Sequence, residues 1–188
     1  LQLEMIYQPR EDSYLLAEEI KKYARNKAVL DIGSGSGIIA ETALNAGAKS
    51  VLAVDIDEEA VNYLKKKFKS EIKNGKIQIR KSDLFSSIKR NEKFDVIAFN
   101  PPYLPIDKYD KGKDISGGKL GDEIIIKFLK GVKSYLNNNG IVLLVVSSLT
   151  ARKRIDKLLS NMKFRKKKLA EKKFFFETLE VWEISSDG

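Results

Sequence analysis

Short strand patterns alternating with helical ones predict a doubly wound α/β domain: a mostly parallel sheet, helices on both of its faces, and an antiparallel hairpin at the C-terminal end. Three observations carry this expectation. Apolar runs recur at 28–32, 51–54, 94–99 and 141–146, and they are short and continuous, as strands buried on both faces are. Amphipathic stretches of helical period lie between them, which is the pattern of repeated βα units. The first run leads straight into Gly33-Ser34-Gly35-Ser36-Gly37, a turn that opens a helix.

Each element follows from local chemistry. Asp12 and Ser13 are suited to cap a first helix through about Tyr23, with Leu15, Leu16, Ile20 and Tyr23 on its apolar side. Strand 28–32 and the glycine turn precede a helix that ends near Gly47. Strand 51–54 leads to Asp57, a helix cap, and to Val61, Leu64 and Phe68 at helical spacing. At 77–80 apolar and polar residues alternate, which predicts a strand with one wet side or a sheet edge. Strand 94–99 runs into Asn100-Pro101-Pro102-Tyr103, and residues 104–121 form a loop with four glycines, too long for a passive connection. A helix is expected over 122–136, stopped by Asn137-Asn138-Asn139-Gly140. Strand 141–146, a helix over 150–162 and two antiparallel strands over 164–184, turning around Lys172-Lys173, bring the strand number to seven.

Composition narrows the chemistry. The 188 residues suit a single domain spanning 1–188, and they include neither His nor Cys. Disulfides, thiolate nucleophiles, imidazole bases and the usual zinc ligands are thereby excluded, and no metal site is expected. The N-terminal segment lacks the apolar core of a signal peptide and no apolar run is long enough to span a bilayer, so a cytoplasmic protein without membrane contact is expected. The net charge of +9 is compatible with a polyanionic partner, but its clusters at 65–67, 152–154 and 165–168 also suit solvated faces.

Gly33, Gly35 and Gly37 allow close backbone approach to a ligand, and the helix beyond offers free N–H groups. A dinucleotide fingerprint would place its third glycine at position 38, which is Ile38. Asp31, two residues before the first glycine, would repel a pyrophosphate and suits a cationic ligand. Asp55, 22 residues after Gly33, ends the second strand, where a carboxylate can accept from both ribose hydroxyls. Asp83 follows the third strand, where it can accept from an adenine amino group. A nucleoside with a cationic, phosphate-free tail is S-adenosylmethionine, and at this point the sequence resembles the class I methyltransferases.

Asn100-Pro101-Pro102-Tyr103 is stiff because neither proline has an N–H and both fix φ. The Asn100 side-chain carbonyl and the Pro101 carbonyl can accept from one substrate –NH₂ while Tyr103 lies against its flat face. Such a site suits a planar conjugated nitrogen, an adenine or cytosine amine or a carboxamide. Catalysis would come from alignment and fixed dipoles without a strong base.

From about Tyr7 to Trp182 the chain resembles the HemK-type glutamine methyltransferases, in particular their short archaeal and eukaryotic branch. The resemblance is carried by Tyr7-Gln8-Pro9-Arg10-Glu11-Asp12-Ser13, by Asp31 to Gly37, by Phe99 to Tyr103, and by Ser116-Gly117-Gly118-Lys119-Leu120-Gly121-Asp122-Glu123. It implies a Rossmann-like, seven-stranded, mostly parallel sheet, S-adenosylmethionine as cofactor, and methyl transfer to the side-chain amide of the glutamine in the Gly-Gly-Gln motif of a class I translation release factor. It also implies that Ser13 lines the cofactor pocket. Asp31 and Gly33 would hold the methionine end, Asp55 the ribose, Asp83 and the Leu84 backbone the adenine, and Asn100 the substrate amide. Asp122 stands where the branch prefers Arg. Fewer than 30 residues precede the first strand, where bacterial relatives carry a helical domain that grips the release factor, so substrate capture is expected from the 104–121 loop, the nearby surface or a partner. Eukaryotic relatives use a small zinc-binding activator protein at a sheet edge, and strand 77–80 is a candidate for that edge.

Rival readings remain at this stage. An exocyclic adenine amine in RNA or DNA fits the same planar site and the positive charge, although a one-domain chain leaves no room for a target-recognition domain. A protein lysine lacks the planarity. A non-catalytic cofactor-binding subunit would not need the Asn100 to Tyr103 turn, and a nicotinamide enzyme fits neither Asp31 nor the glycine spacing.

Overall fold

The structure is a computed structural model that describes residues 9–102 and 121–186. Its elements run α1 (Glu11–Tyr23), β1 (Ala28–Ile32), α2 (Ile38–Asn45), β2 (Ser50–Asp55), α3 (Glu58–Lys67), α4 (Lys69–Lys73), β3 (Ile77–Lys81), β4 (Phe94–Phe99), α5 (Glu123–Val132), β5 (Leu136–Ser147), α6 (Arg152–Asn161), β6 (Phe164–Lys173) and β7 (Thr178–Ser186). The seven strands form one sheet in the order β3-β2-β1-β4-β5-β7-β6. The first five are parallel, and β7 runs antiparallel to both β5 and β6.

Alternation along the strands divides the core between two faces. Val29, Ala53, Val96, Ala98, Leu143 and Val145 meet Leu16 and Ile20 of α1, Ala40 and Ala43 of α2, and Val61 and Leu64 of α3. Leu30, Leu52, Ile97, Phe99 and Leu144 meet Ile125, Phe128 and Leu129 of α5 and Ile155 of α6. Helices therefore cover both faces, as the buried runs require. The edge strand β3 buries Ile77 and Ile79 and exposes Gln78, which is the alternation read from its sequence.

Four local expectations need correction. Arg10, not Asp12 or Ser13, occupies the N-cap position of α1, and both of those residues are buried in its first turn. Helix α5 ends at Val132 and is followed by a short 3-10 turn (Lys133–Tyr135). Asn137-Asn138-Asn139-Gly140 then lies within β5, where Asn137 donates to Asp95 at 2.8 Å. Helix α6 starts at Arg152, not Thr150. The hairpin turns at 174–177, closed by the Phe174 N–H donating to the Glu177 carbonyl at 2.7 Å, and not at Lys172-Lys173.

Strand order fixes the site. From β1 the chain steps outward through β2 and β3, then returns to place β4 and β5 on the other side of β1. This reversal opens a crevice at the carboxyl ends of β1 and β4. Ile32 is in register with Phe99, so Gly33 and Asn100 leave adjacent strand ends side by side.

Candidate active site

The glycine turn is held in a left-handed conformation, with φ of +68° at Gly33, +48° at Gly35 and +79° at Gly37. Only glycine adopts such values without a steric penalty. A Cβ on Gly37 would lie 2.6 Å from Leu64 Cδ2 and 2.9 Å from Phe68 Cε2, so that glycine also allows α2 to pack on α3. The turn is anchored from two sides. Ser34 donates to the Asp31 and Val54 carbonyls at 3.0 and 3.1 Å, and Lys67 donates to the Ser36 carbonyl at 3.1 Å.

Asp31 and Asp55 face this turn. Asp31 is buried, with one carboxylate oxygen accepting from the Ala40 N–H at 3.2 Å, and no described lysine or arginine forms an ion pair with it. Burial first, and then the neighbouring charge of Asp55, push its carboxyl up to about 7. Asp55 accepts from the Gly35 N–H at 2.8 Å and the Asp57 N–H at 2.9 Å, and burial raises its pKa as well. The Ile56 N–H also bonds to it; a carboxylate has about four lone-pair directions, so Asp55 keeps acceptor capacity to offer. A buried acid without a countercharge fits a cationic ligand, and the second acid with spare acceptors fits a diol.

At the end of β3 the arrangement differs from a simple open acceptor. Asp83 is half-exposed and its carboxylate pairs with Lys127 of α5 at 2.7 Å. Leu84 is buried at φ +50°, an uncommon conformation for a bulky side chain. Ser82 holds this bend by donating to the Leu84 carbonyl at 2.8 Å and accepting from the Ser87 N–H at 3.0 Å. The bend turns the 83–84 backbone away from helix formation at the carboxyl edge beside β2.

Asn100 sits just past β4. Its Nδ2 donates to the Ser13 hydroxyl at 3.4 Å, and that hydroxyl donates onward to Asp12 at 3.3 Å. The Asn100 carbonyl oxygen Oδ1 is buried with no hydrogen-bond partner among the described residues. Leaving such an acceptor unsatisfied costs about 1–3 kcal/mol, so Asn100 presents an oriented acceptor that no described residue uses. Sequence reasoning missed the contact of Ser13 with Asn100, because 87 residues separate the two. Pro101 is buried and Pro102 half-buried. Tyr103, Tyr7, Gln8 and the 104–120 segment lie outside the described residues. Asp122 is buried and bonded to Arg154 at 3.0 Å, an ion pair that accounts for an acid at that position.

Ser13 orients the amide through its lone pair, which gives a direct expectation. Under the activity that the sequence resemblance implies, Ser13→Ala should lower the turnover of methyl transfer about 3–10-fold, in line with the loss of one hydrogen bond of roughly 1 kcal/mol. The Michaelis constant for the methyl donor should stay within about twofold. Steady-state kinetics with donor and acceptor varied separately would check both.

The methyltransferase small-domain model matches residues 10–176. A Methanocaldococcus jannaschii protein with the provisional name protein N5-glutamine methyltransferase is 38% identical over 181 residues, covering 94% of this chain and 89% of its own length. The ribosomal protein L11 methyltransferase of Caldicellulosiruptor saccharolyticus is 33% identical over 154 residues, 81% of this chain but only 42% of that protein. Among solved structures, a chain of the E. cuniculi Mtq2–Trm112 complex, responsible for methylation of the eRF1 translation termination factor, superposes with a TM-score of 0.76 at 26% identity, covering 97% of this chain and 99% of that one. The acid-flanked glycine turn at a sheet reversal, the Asn100-Pro101-Pro102 strand end and these matches agree, and the chain belongs to the methyltransferase small-domain family of S-adenosylmethionine-dependent methyltransferases.

Proposed function

We propose that this protein methylates the side-chain amide nitrogen of the glutamine in the Gly-Gly-Gln motif of a class I translation release factor. The observation that carries the reading is the buried Oδ1 of Asn100, without a partner among the described residues, an acceptor suited to one N–H of a planar amide. S-adenosylmethionine, when bound, supplies an electrophilic methyl group on a sulfonium. Asp31 and the turn of Gly33, Gly35 and Gly37 would hold its methionine end, Asp55 the ribose hydroxyls, and Asp83 with the Leu84 backbone the adenine. Asn100 and the Pro101 carbonyl would fix the amide –NH₂ by accepting from it, Pro102 would stiffen the turn, and Tyr103 would cover the planar face. Fixed acceptors lower the barrier by orienting a delocalised lone pair and stabilising the positive charge that grows on nitrogen. The names of the M. jannaschii and E. cuniculi relatives support the same acceptor class.

A small activator protein, as in the Mtq2–Trm112 complex, would have the free edge of β3 available to it. No helix among the described residues is long and apolar enough to cross a membrane, in keeping with work in the cytoplasm on a translation factor. The test is acceptor choice. Purified protein, with methyl-labelled donor, is offered a full-length release factor and total RNA in parallel. Label on the release factor is the expected result, and label on RNA alone would replace this reading with the adenine-amine one.

A further inference from the structure

The turn between β6 and β7 reads Phe174-Phe175-Phe176-Glu177. Phe175 and Phe176 are its two central residues, and they are 92% and 83% exposed. Two-residue hairpin turns favour Asn-Gly or Gly-rich pairs at positive φ, yet neither phenylalanine has positive φ. Turn geometry therefore does not ask for these side chains. Core packing does not either, since the two rings meet only edge to face, with centroids 4.5 Å apart. Exposed aromatic surface of this kind marks an interaction site.

Its position gives the site a purpose. Reciprocal bonds between Ser148 and Thr178, and the Ser147 hydroxyl donating to Glu177 at 2.6 Å, tie the turn to the carboxyl end of β5. Lys172 pairs with Glu11 at the start of α1, two residues before Ser13. The turn thus stands on the same edge of the sheet as Asn100, two strands across. From strand spacing and rise, its tip lies about 20 Å from that residue, a reach that matters to a macromolecule and not to a small acceptor.

Charge decides the class of macromolecule. Around the tip the charges pair off: Lys172 with Glu11, Lys168 with Glu171 and Arg152 with Glu180. Lys173 also lies 3.6 Å from Glu171. A phosphate backbone needs uncompensated cations beside the aromatic platform, and the two lysines that flank the rings, Lys172 and Lys173, already face a carboxylate.

We infer that the Phe175–Phe176 turn is a docking element that seats on an apolar patch of the protein substrate, outside the loop that carries the acceptor amide. This rests on the protein-substrate reading above. The double variant Phe175→Ser with Phe176→Ser should raise the Michaelis constant for full-length release factor about tenfold or more, as loss of an aromatic anchor does. Turnover at saturation, donor affinity and melting temperature should stay near wild type, because the rings touch no core residue. The pair Phe175→Leu with Phe176→Leu should recover most of the affinity.

Wild-type kinetics separate the two ideas. A wild-type enzyme that methylates the release factor, beside a serine variant with an unchanged Michaelis constant, would overturn the docking inference and leave the function intact. A wild-type enzyme inactive on release factors would remove both. Loss of RNA labelling in the variant would reassign the turn to nucleic acid, and a dimer that the variant converts to monomer would make a second copy of this chain the occupant. Either result would overturn the inference.

Discussion

Asn100→Ala is expected to lower the turnover of methyl transfer by about 10²–10³-fold, the range for removing one preorganised electrostatic group from an active site. Donor affinity should remain within about threefold of wild type, because the acids at β1 and β2 proposed to hold the donor are untouched. The reasoning starts from what the fold leaves open. Asn100 Nδ2 is committed to Ser13, and Oδ1 is buried without a donor among the described residues. Alanine deletes the unsatisfied acceptor along with the Ser13 hydrogen bond, two opposing effects of about 1 kcal/mol each, so the variant should melt close to wild type. Loss of activity with unimpaired stability and donor binding assigns the residue to the acceptor nitrogen. Full activity in the variant would contradict the assignment. Calorimetric titration of donor product alongside the kinetics makes the separation.

Asp31→Asn is expected to act on the other half of the reaction, weakening donor binding at least about a hundredfold through loss of a buried ion-pair partner. Its second signature is thermodynamic. Folding raises the Asp31 carboxyl from an ordinary acid range to about 7, so the folded state holds its proton more tightly than the unfolded chain does. Stability is then complete below the unfolded pKa of about 4 and falls as pH rises towards 7, where the loss levels off at a few kcal/mol. Asparagine cannot ionise. The ligand-free variant should therefore be more stable than wild type near pH 8 and match it near pH 4, a difference that denaturant titrations at the two pH values would read. Donor affinity of the wild type should rise with pH up to about 7, as the carboxylate proposed to face the donor's cationic end forms. A variant with wild-type affinity and an unchanged pH profile of stability would remove Asp31 from the cofactor site. The stability given up at neutral pH is the expected trade for binding a cation.

Legibility from sequence followed the range of the interactions. The βα alternation, the glycine turn, the Asp57 cap, which accepts from the Glu59 N–H at 2.9 Å, and the edge character of β3 are set by residues close in the chain. They were readable for that reason. Asp12 and Ser13 have the composition of a cap, but the relay to Asn100 draws their polar atoms inward, a competition that only the tertiary contact reveals. The Asn137–Gly140 stretch has the composition of a helix stop. Asp95 receives the Asn137 amide and the Ala28 N–H, which aligns the start of β5 beside β4 and β1. Nothing local marks Asp95 for that role. The insertion of β7 between β5 and β6 likewise depends on strand pairing across the chain and not on any one segment.

At the site, the placement of Asp31, Asp55 and Asn100 at neighbouring strand ends was legible because acids at strand ends and an Asn-Pro-Pro turn have few structural uses together. Their electrostatic state was not legible. It depends on burial and on the approach of Asp31 to Asp55, which the register of β1 with β2 creates. Asp83 shows the reverse case. Its position at the end of β3 was foreseen, whereas its pairing with Lys127 brings in α5, from a separate part of the chain.

Peptide mass spectrometry of a release factor treated with the wild-type protein and donor addresses the central claim most directly. One added methyl group, localised by fragmentation to the side chain of the Gly-Gly-Gln glutamine and absent with Asn100→Ala, is the result the site chemistry predicts. An unmodified glutamine, with the methyl group recovered instead on a lysine or on a nucleobase, would contradict it.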